Sequence, residues 1–317
     1  MKIAVNKQFG DTDKIEIIET ELPNISKDEV LVKVISAGLN PKDILIRKGK
    51  FKQLTGSKFP QAIGFDFSGI IEESNSNKFA KDDEVFGMLN GWKGRCCAEY
   101  VNIKETELHK KPDDISFEEA AGIPLAGQTA LQAIRNIGNL KEGKNILING
   151  ASGGVGTLAI QIAKELGGVV TTISSSKNLE FCKSLGADSA LSYEENSIIE
   201  LKDKYDVFFD VFGNYSFKKV VDILTQNGKY VTTVPKFSIF KEQFFNLFRK
   251  KKAKMVYVKS NDKDLKWISE KINNKKIKPI VDKIFNFVEI VKAQKLIESK
   301  RAKGKVILKM NTTHNNA

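Results

Sequence analysis

The chain has 317 residues, 41% hydrophobic and 28% charged, with a formal net charge of +12. That length accommodates two domains with separate cores, the composition excludes disordered and collagen-like classes, and no apolar run approaches the ~20 residues that span a bilayer. Of 51 basic residues only Arg47, Arg95, Arg135, Arg249 and Arg301 are arginine, which makes nucleic acid an unfavoured partner, because bidentate recognition uses the guanidinium fork.

Up to about residue 116 short strands are predicted at 3–5, 15–18, 30–35, 69–72, 84–88 and 98–101, with turn residues between them, as in an all-β module. The first ten residues alternate like a strand and do not read as a leader. Cys96, Cys97 and Cys182 are too few for a disulfide framework, so a reducing, cytoplasmic compartment is expected, with Cys96 and Cys97 packed in a strand as small apolar residues. Beyond 116 short apolar strands alternate with amphipathic helices, at 146–149, 169–173, 190–192, 206–211, 230–234 and 255–258, the full complement of a doubly wound parallel sheet. Past about 275 the pattern returns to strand, helix and strand, ending at 304–308. The predicted organisation is α/β: a β-rich domain over 1–116, a dinucleotide-binding domain over 117–262, and a return segment over 263–317 that completes the first.

Asn145-Ile-Leu-Ile-Asn-Gly-Ala-Ser-Gly-Gly-Val-Gly-Thr157 joins a buried strand, a turn with Gly150, Gly153, Gly154 and Gly156, and a helix whose Val155, Leu158, Ala159, Ile162 and Leu166 recur at helical spacing. Glycines let backbone approach a pyrophosphate, and the helix start supplies unpaired N–H groups and partial positive charge. At the end of the next strand an NAD site needs an acid for the ribose hydroxyls. This chain instead reads Thr172-Ile-Ser-Ser-Ser-Lys-Asn178, with no acid between Glu165 and Glu180, a pattern that accepts a 2′-phosphate and predicts NADPH. The plainer alternative is a polar loop capping the following helix.

Asn40-Pro-Lys-Asp-Ile-Leu-Ile-Arg-Lys-Gly49, Gly64-Phe-Asp-Phe-Ser-Gly69, Ala120-Ala-Gly-Ile-Pro-Leu-Ala-Gly-Gln-Thr-Ala130, the glycine turn and Ser184-Leu-Gly-Ala-Asp188 follow one another along nearly the whole chain. In that order they resemble the signatures of the zinc-free quinone oxidoreductases of the medium-chain dehydrogenase/reductase superfamily, nearest the zeta-crystallin-like and chloroplast-envelope branches. The resemblance implies a GroES-like catalytic domain, a Rossmann domain, and NADPH-dependent reduction of a quinone or an α,β-unsaturated carbonyl in a homodimer. It implies that Asn40 and Thr129 meet the nicotinamide end, Gly153, Gly154 and Val155 the pyrophosphate, and Ser174, Lys177 and Tyr193 the adenosine phosphate. Phe212, Val234, Pro235 and Lys305 are implied as further cofactor neighbours.

The superfamily's alcohol dehydrogenases place a zinc-binding Cys where this chain has Asn40 and a His where it has Phe65, and only His109 and His314 exist here. No metal site is therefore expected. Scarce histidine also leaves no Ser-His-acid triad, so the chemistry is expected to rest on the cofactor and on hydrogen bonds to the oxygen where negative charge develops. Asn40 and Lys42 are the catalytic candidates near that oxygen; the plainer readings are a turn residue before Pro41 and a solvent-facing charge, with Asp43 as a helix cap. The proton donor stays open.

Over 241–254, Phe244, Phe245, Leu247 and Phe248 precede a basic run. The segment either rests on an anionic membrane or lines the substrate cleft, and helical spacing favours the packed cleft reading. Two other functions fit the chain less well: an enoyl-thioester reductase, and a non-enzymatic protein that carries NADPH and binds RNA or a membrane surface.

Overall fold

The computed structural model describes residues 1–310, apart from the side chains of Ile199, Phe237, Ser238 and Leu247. The chain divides into two compact units, one made of residues 1–125, 259–275 and 279 onward, the other of 126–258 with 276–278.

In the first unit β1 (Lys2–Asn6) lies between β2 (Ile15–Glu19) and β4 (Gln61–Ala62) in a small antiparallel sheet. β3 (Glu29–Leu39) is central to a larger sheet with β5 (Asp66–Ser74), β6 (Glu84–Met88), β7 (Tyr100–Lys104) and β8 (Leu108–Lys110). β3 leads directly into α1 (Pro41–Arg47), which starts at Asn40 with Pro41 at its first position. A proline there loses nothing, because the first-turn N–H groups have no intrahelical partner. Val30, Leu31 and Val32 are buried in succession, since neighbours and packing cover both faces of β3. α2 (Phe117–Ala121) packs on β3 and β5, so the boundary falls after Leu125 and not at 116, where the strand pattern ends.

The second unit is a six-stranded parallel sheet of β9 (Asn145–Asn149), β10 (Val169–Ser174), β11 (Ser189–Ser192), β12 (Tyr205–Asp210), β13 (Leu224–Thr232) and β14 (Lys252–Met255), in the order β11-β10-β9-β12-β13-β14. This is the doubly wound dinucleotide-binding order, with its switch point between β9 and β12. α3 (Gly154–Glu165) crosses from β9 to β10 and buries Leu158, Ala159, Ile162 and Ala163. β14 starts within the basic run and not after it at 255: Lys-Ala-Lys-Met alternates, so Ala253 and Met255 turn inward while the lysines stay out. Lysines on an edge strand also discourage unwanted pairing.

The chain then returns to the first unit through β15 (Val281–Asn286) and β16 (Lys305–Lys309). β16 pairs antiparallel with β3, Val306 opposite Leu39, and completes the larger sheet. Cys96 and Cys97 are buried, but in the loop before β7 and not in a strand. Among the described residues no helix is long and apolar enough to cross a membrane.

Candidate active site

The β3–β16 register places Lys305 beside the residue that follows β3. Lys305 Nζ donates to Asn40 Oδ1 at 2.6 Å and to Asp66 Oδ2 at 3.1 Å. Asn40 Nδ2 donates to the same Asp66 oxygen at 2.9 Å and to Gly38 O at 3.3 Å, while Asp66 Oδ1 accepts the Leu125 N–H at 2.8 Å. All three side chains are buried, so the carboxylate and the ammonium neutralise each other where water cannot. Both amide protons of Asn40 are engaged within this network. Asn40 is thus held in one orientation, not presented as a free donor, and Lys305, implied as a cofactor neighbour, directs its ammonium into the same network.

Lys42 differs. Its Nζ donates to Gly91 O at 2.7 Å, sits 3.6 Å above the centroid of Phe65 and lies 5.0 Å from Trp92. Burial lowers its proton affinity to a pKa of about 8, against the opposing charges of Asp43 and Asp66. Beside it, burial pushes the Asp43 carboxyl up to about 6 even though it accepts the N–H groups of Asn40 at 2.8 Å and Gly64 at 3.1 Å. The Phe65 and Trp92 rings hold a partly desolvated cation here.

Burial raises the Cys96 and Cys97 thiols well above their ordinary values, which makes them poor metal ligands. His109 Nδ1 lies 2.7 Å from Asp262 Oδ1, and His314 lies outside the described residues. Among the described residues no group of three or more His, Cys, Asp or Glu side chains gathers around a possible metal position.

In the second unit the glycine turn ends at α3. A Cβ at Gly156 would stand 2.3 Å from Gly150 O and 2.5 Å from Ala151 O, so only glycine lets the helix close on the turn. A Cβ at Gly153 would meet only Gly150 O, at 3.7 Å. That open side, at the amino end of a 12-residue helix, fits a pyrophosphate. The Val155 backbone belongs to the same first turn. The buried Thr129 hydroxyl has no hydrogen-bond partner, which suits a polar group such as the nicotinamide amide. Phe212 packs against Gly150, and Val234 against Gly213, while Pro235 is exposed past the end of β13.

Two acids that matter here have no counterpart in the sequence reading. Asp210, buried at the end of β12, accepts from Asn149 Nδ2 at 2.7 Å, Gly213 N at 2.8 Å, Tyr215 N at 3.1 Å and the Tyr230 hydroxyl at 2.9 Å. It braces the loop at the switch point; its signal was an acid closing the apolar run Val207-Phe-Phe209. The second is Glu194. Ser174 is buried, and Lys177 and Tyr193 are exposed, at the ends of the neighbouring parallel strands β10 and β11. Glu194 Oε2 accepts the Ser176 hydroxyl there at 2.5 Å, which holds the carboxyl below its ordinary range.

The alcohol dehydrogenase GroES-like domain family matches residues 26–113, and the zinc-binding dehydrogenase family matches 185–308. A 2-methylene-furan-3-one reductase of Solanum lycopersicum is 35% identical, spanning 97% of this chain and 79% of its own. The chloroplastic NADPH-dependent alkenal/one oxidoreductase of Arabidopsis thaliana is similar to the same degree, at 35% over 97% and 79%. The chain belongs to the quinone-oxidoreductase branch of the medium-chain dehydrogenase/reductase superfamily. Within that superfamily the quinone oxidoreductase of Coxiella burnetii matches with a TM-score of 0.89 at 31% identity, covering 98% of this chain and 99% of that one. The Escherichia coli quinone oxidoreductase complexed with NADPH shares the fold, with a TM-score of 0.86 at 21% identity over 98% and 100%. As a member of this superfamily, the chain departs from its zinc-dependent alcohol dehydrogenases at Asn40 and Phe65.

Proposed function

We propose that the protein is an NADPH-dependent, zinc-independent reductase of quinones or α,β-unsaturated carbonyls. The observation that carries this reading is the Lys42 ammonium on Phe65, beside the Asn40–Lys305–Asp66 network: the chain's own cations stand where a metal charge would otherwise serve.

NADPH, when bound, supplies the hydride. Gly153, Gly154 and Val155 would hold its pyrophosphate through backbone N–H groups, Thr129 its amide end, and Ser174, Lys177 and Tyr193 its 2′-phosphate. Phe212, Val234 and Pro235 would border it. Lys42 is the side chain able to meet a developing oxyanion. One ammonium proton goes to Gly91 O and the Phe65 ring covers one side, leaving a proton for the substrate oxygen. Asn40 is a positioning residue that anchors the start of α1, and hence the backbone from which Lys42 projects. Quinones and enones accept hydride at an already electrophilic carbon, so no base is needed to remove a hydroxyl proton first.

The proposed assembly is a homodimer. A reducing, cytoplasmic compartment is proposed on the three buried free cysteines.

A panel of quinones, enones, an enoyl thioester and simple primary alcohols, assayed with NADPH or NADP, tests the function. Turnover of a quinone or enone, preserved after chelation, is expected. Robust alcohol oxidation with one tightly held zinc per chain, and no NADPH oxidation across the panel, overturns it; preference for the thioester moves the assignment to an enoyl-thioester reductase.

A further inference from the structure

The helix α4 (Phe237–Phe245) and the turn at Asn246–Phe248 present an aromatic face to solvent. Phe240, Phe244 and Phe248, spaced by four, are 46%, 67% and 79% exposed, and Phe245 is 53% exposed. Ile239 is the buried contact on the opposite side, and Gln243 Oε1 accepts the Met255 N–H at 2.9 Å, which ties the helix to β14. The packing expected of these aromatics from their spacing is therefore not what the unit shows: its inward face is satisfied and the phenylalanines lie outside. Such a run of exposed rings costs solvation and marks an interaction surface.

The charge beside it selects the occupant. Residues 236–254 carry seven basic side chains and one acid, Glu242. That acid is already paired with Arg249 at 2.6 Å. Lys236 and Lys250 are exposed at the two ends of the aromatic segment. A second copy of the same surface would bring like charges together. Recognition of nucleic acid favours arginine, and Arg249, the segment's one arginine, is committed to Glu242 and to the Phe217 ring at 4.2 Å. An anionic bilayer satisfies both features: headgroups attract the lysines, and the rings enter the boundary between headgroup and acyl chain.

We infer that the 236–254 surface docks the protein peripherally on anionic lipid bilayers, through exposed Phe240, Phe244 and Phe248 flanked by lysines. The docking needs no cofactor and no turnover, so it stands or falls separately from the proposed reductase activity.

Co-sedimentation of the full chain with vesicles of phosphatidylcholine alone, or of equal parts phosphatidylcholine and phosphatidylglycerol, tests it. Binding to the mixed vesicles only, weakening as salt rises, is expected. Phe244→Ser with Phe248→Ser should weaken it about tenfold or more, and each of Lys236→Glu and Lys250→Glu by about fivefold or more. Unfolding midpoints and KM for a small water-soluble quinone should stay unchanged, because these side chains lie outside the core. No binding to mixed vesicles, or equal binding to neutral ones, overturns the inference. So does tighter binding to single-stranded RNA, a concentration-dependent dimer lost in the phenylalanine variants, or a raised KM for the soluble quinone in them.

Discussion

Lys305 Nζ and Asn40 Oδ1 meet at 2.6 Å although 265 positions separate them in the chain. Their meeting is the consequence of one strand pairing, β16 on β3, and it seats a buried positive charge against Asp66 of β5, beside the residue that starts α1.

Lys305→Met should destabilise the fold by about 3–5 kcal/mol, because it leaves the Asp66 carboxylate buried without its cation. Urea unfolding checks this. The double variant with Asp66→Asn should recover part of the loss, since the stranded charge is gone. Equal stability of wild type and Lys305→Met would mean that the network carries no net energy.

The Lys42 ammonium, lowered by burial from 10.5 to about 8, gives two opposite pH dependences. Between those values the unfolded chain still holds the proton that the folded chain has released, so stability should rise with pH from about 8 and bear the full desolvation cost below it. Turnover should run the other way: the proton-bearing form is lost above about 8, and kcat falls. Lys42→Met should lower kcat by about a hundredfold and remove that alkaline limb. A pH profile of kcat at saturating substrate decides it; an unchanged alkaline limb in the variant would remove Lys42 from the chemistry.

The glycine turn separates folding from binding. Gly156→Ala forces a Cβ to 2.3 Å from Gly150 O and should cost about 1–3 kcal/mol of stability. Gly153→Ala finds its nearest atom at 3.7 Å and should fold normally. It should nevertheless weaken NADPH about tenfold or more, because the methyl group occupies the side from which phosphate reaches the backbone. Thermal unfolding and calorimetric titration of both variants check the contrast.

At the end of β10 the exposed Lys177 would attract a 2′-phosphate and Glu194 would oppose it. Lys177→Ala should weaken NADPH about tenfold or more and leave NADH nearly unchanged, the loss of one charge-assisted hydrogen bond. Glu194→Gln should tighten NADPH, again with little effect on NADH. Titration of both cofactors with both variants distinguishes these roles. Equal affinities for NADPH and NADH in the wild type would show that the segment does not read the phosphate.

The dinucleotide-binding unit was legible in the sequence because its signals are local. A buried strand, a turn of four glycines and an amphipathic helix lie within a few dozen residues, and each β–α step repeats the same alternation. The departures at Asn40 and Phe65 could also be read directly, as changes of residue type. What Asn40 does could not, because its partners Asp66 and Lys305 come from β5 and β16 and meet it only once the return segment has paired with β3. The lowered proton affinity of Lys42 likewise depends on burial and on Phe65 and Trp92, which the fold and not the spacing brings over it. Glu194 reaches Ser176 because parallel neighbours end side by side, whereas the chain running on from β10 has no acid before Glu180. Helical spacing put Phe244, Phe245, Leu247 and Phe248 on one side of the segment and favoured packing in the cleft. Only the tertiary structure, by filling the inner side with Ile239, turned Phe244, Phe245 and Phe248 outward. Periodicity is a property of neighbouring residues; burial and proton affinity are set by whatever the rest of the chain packs against them.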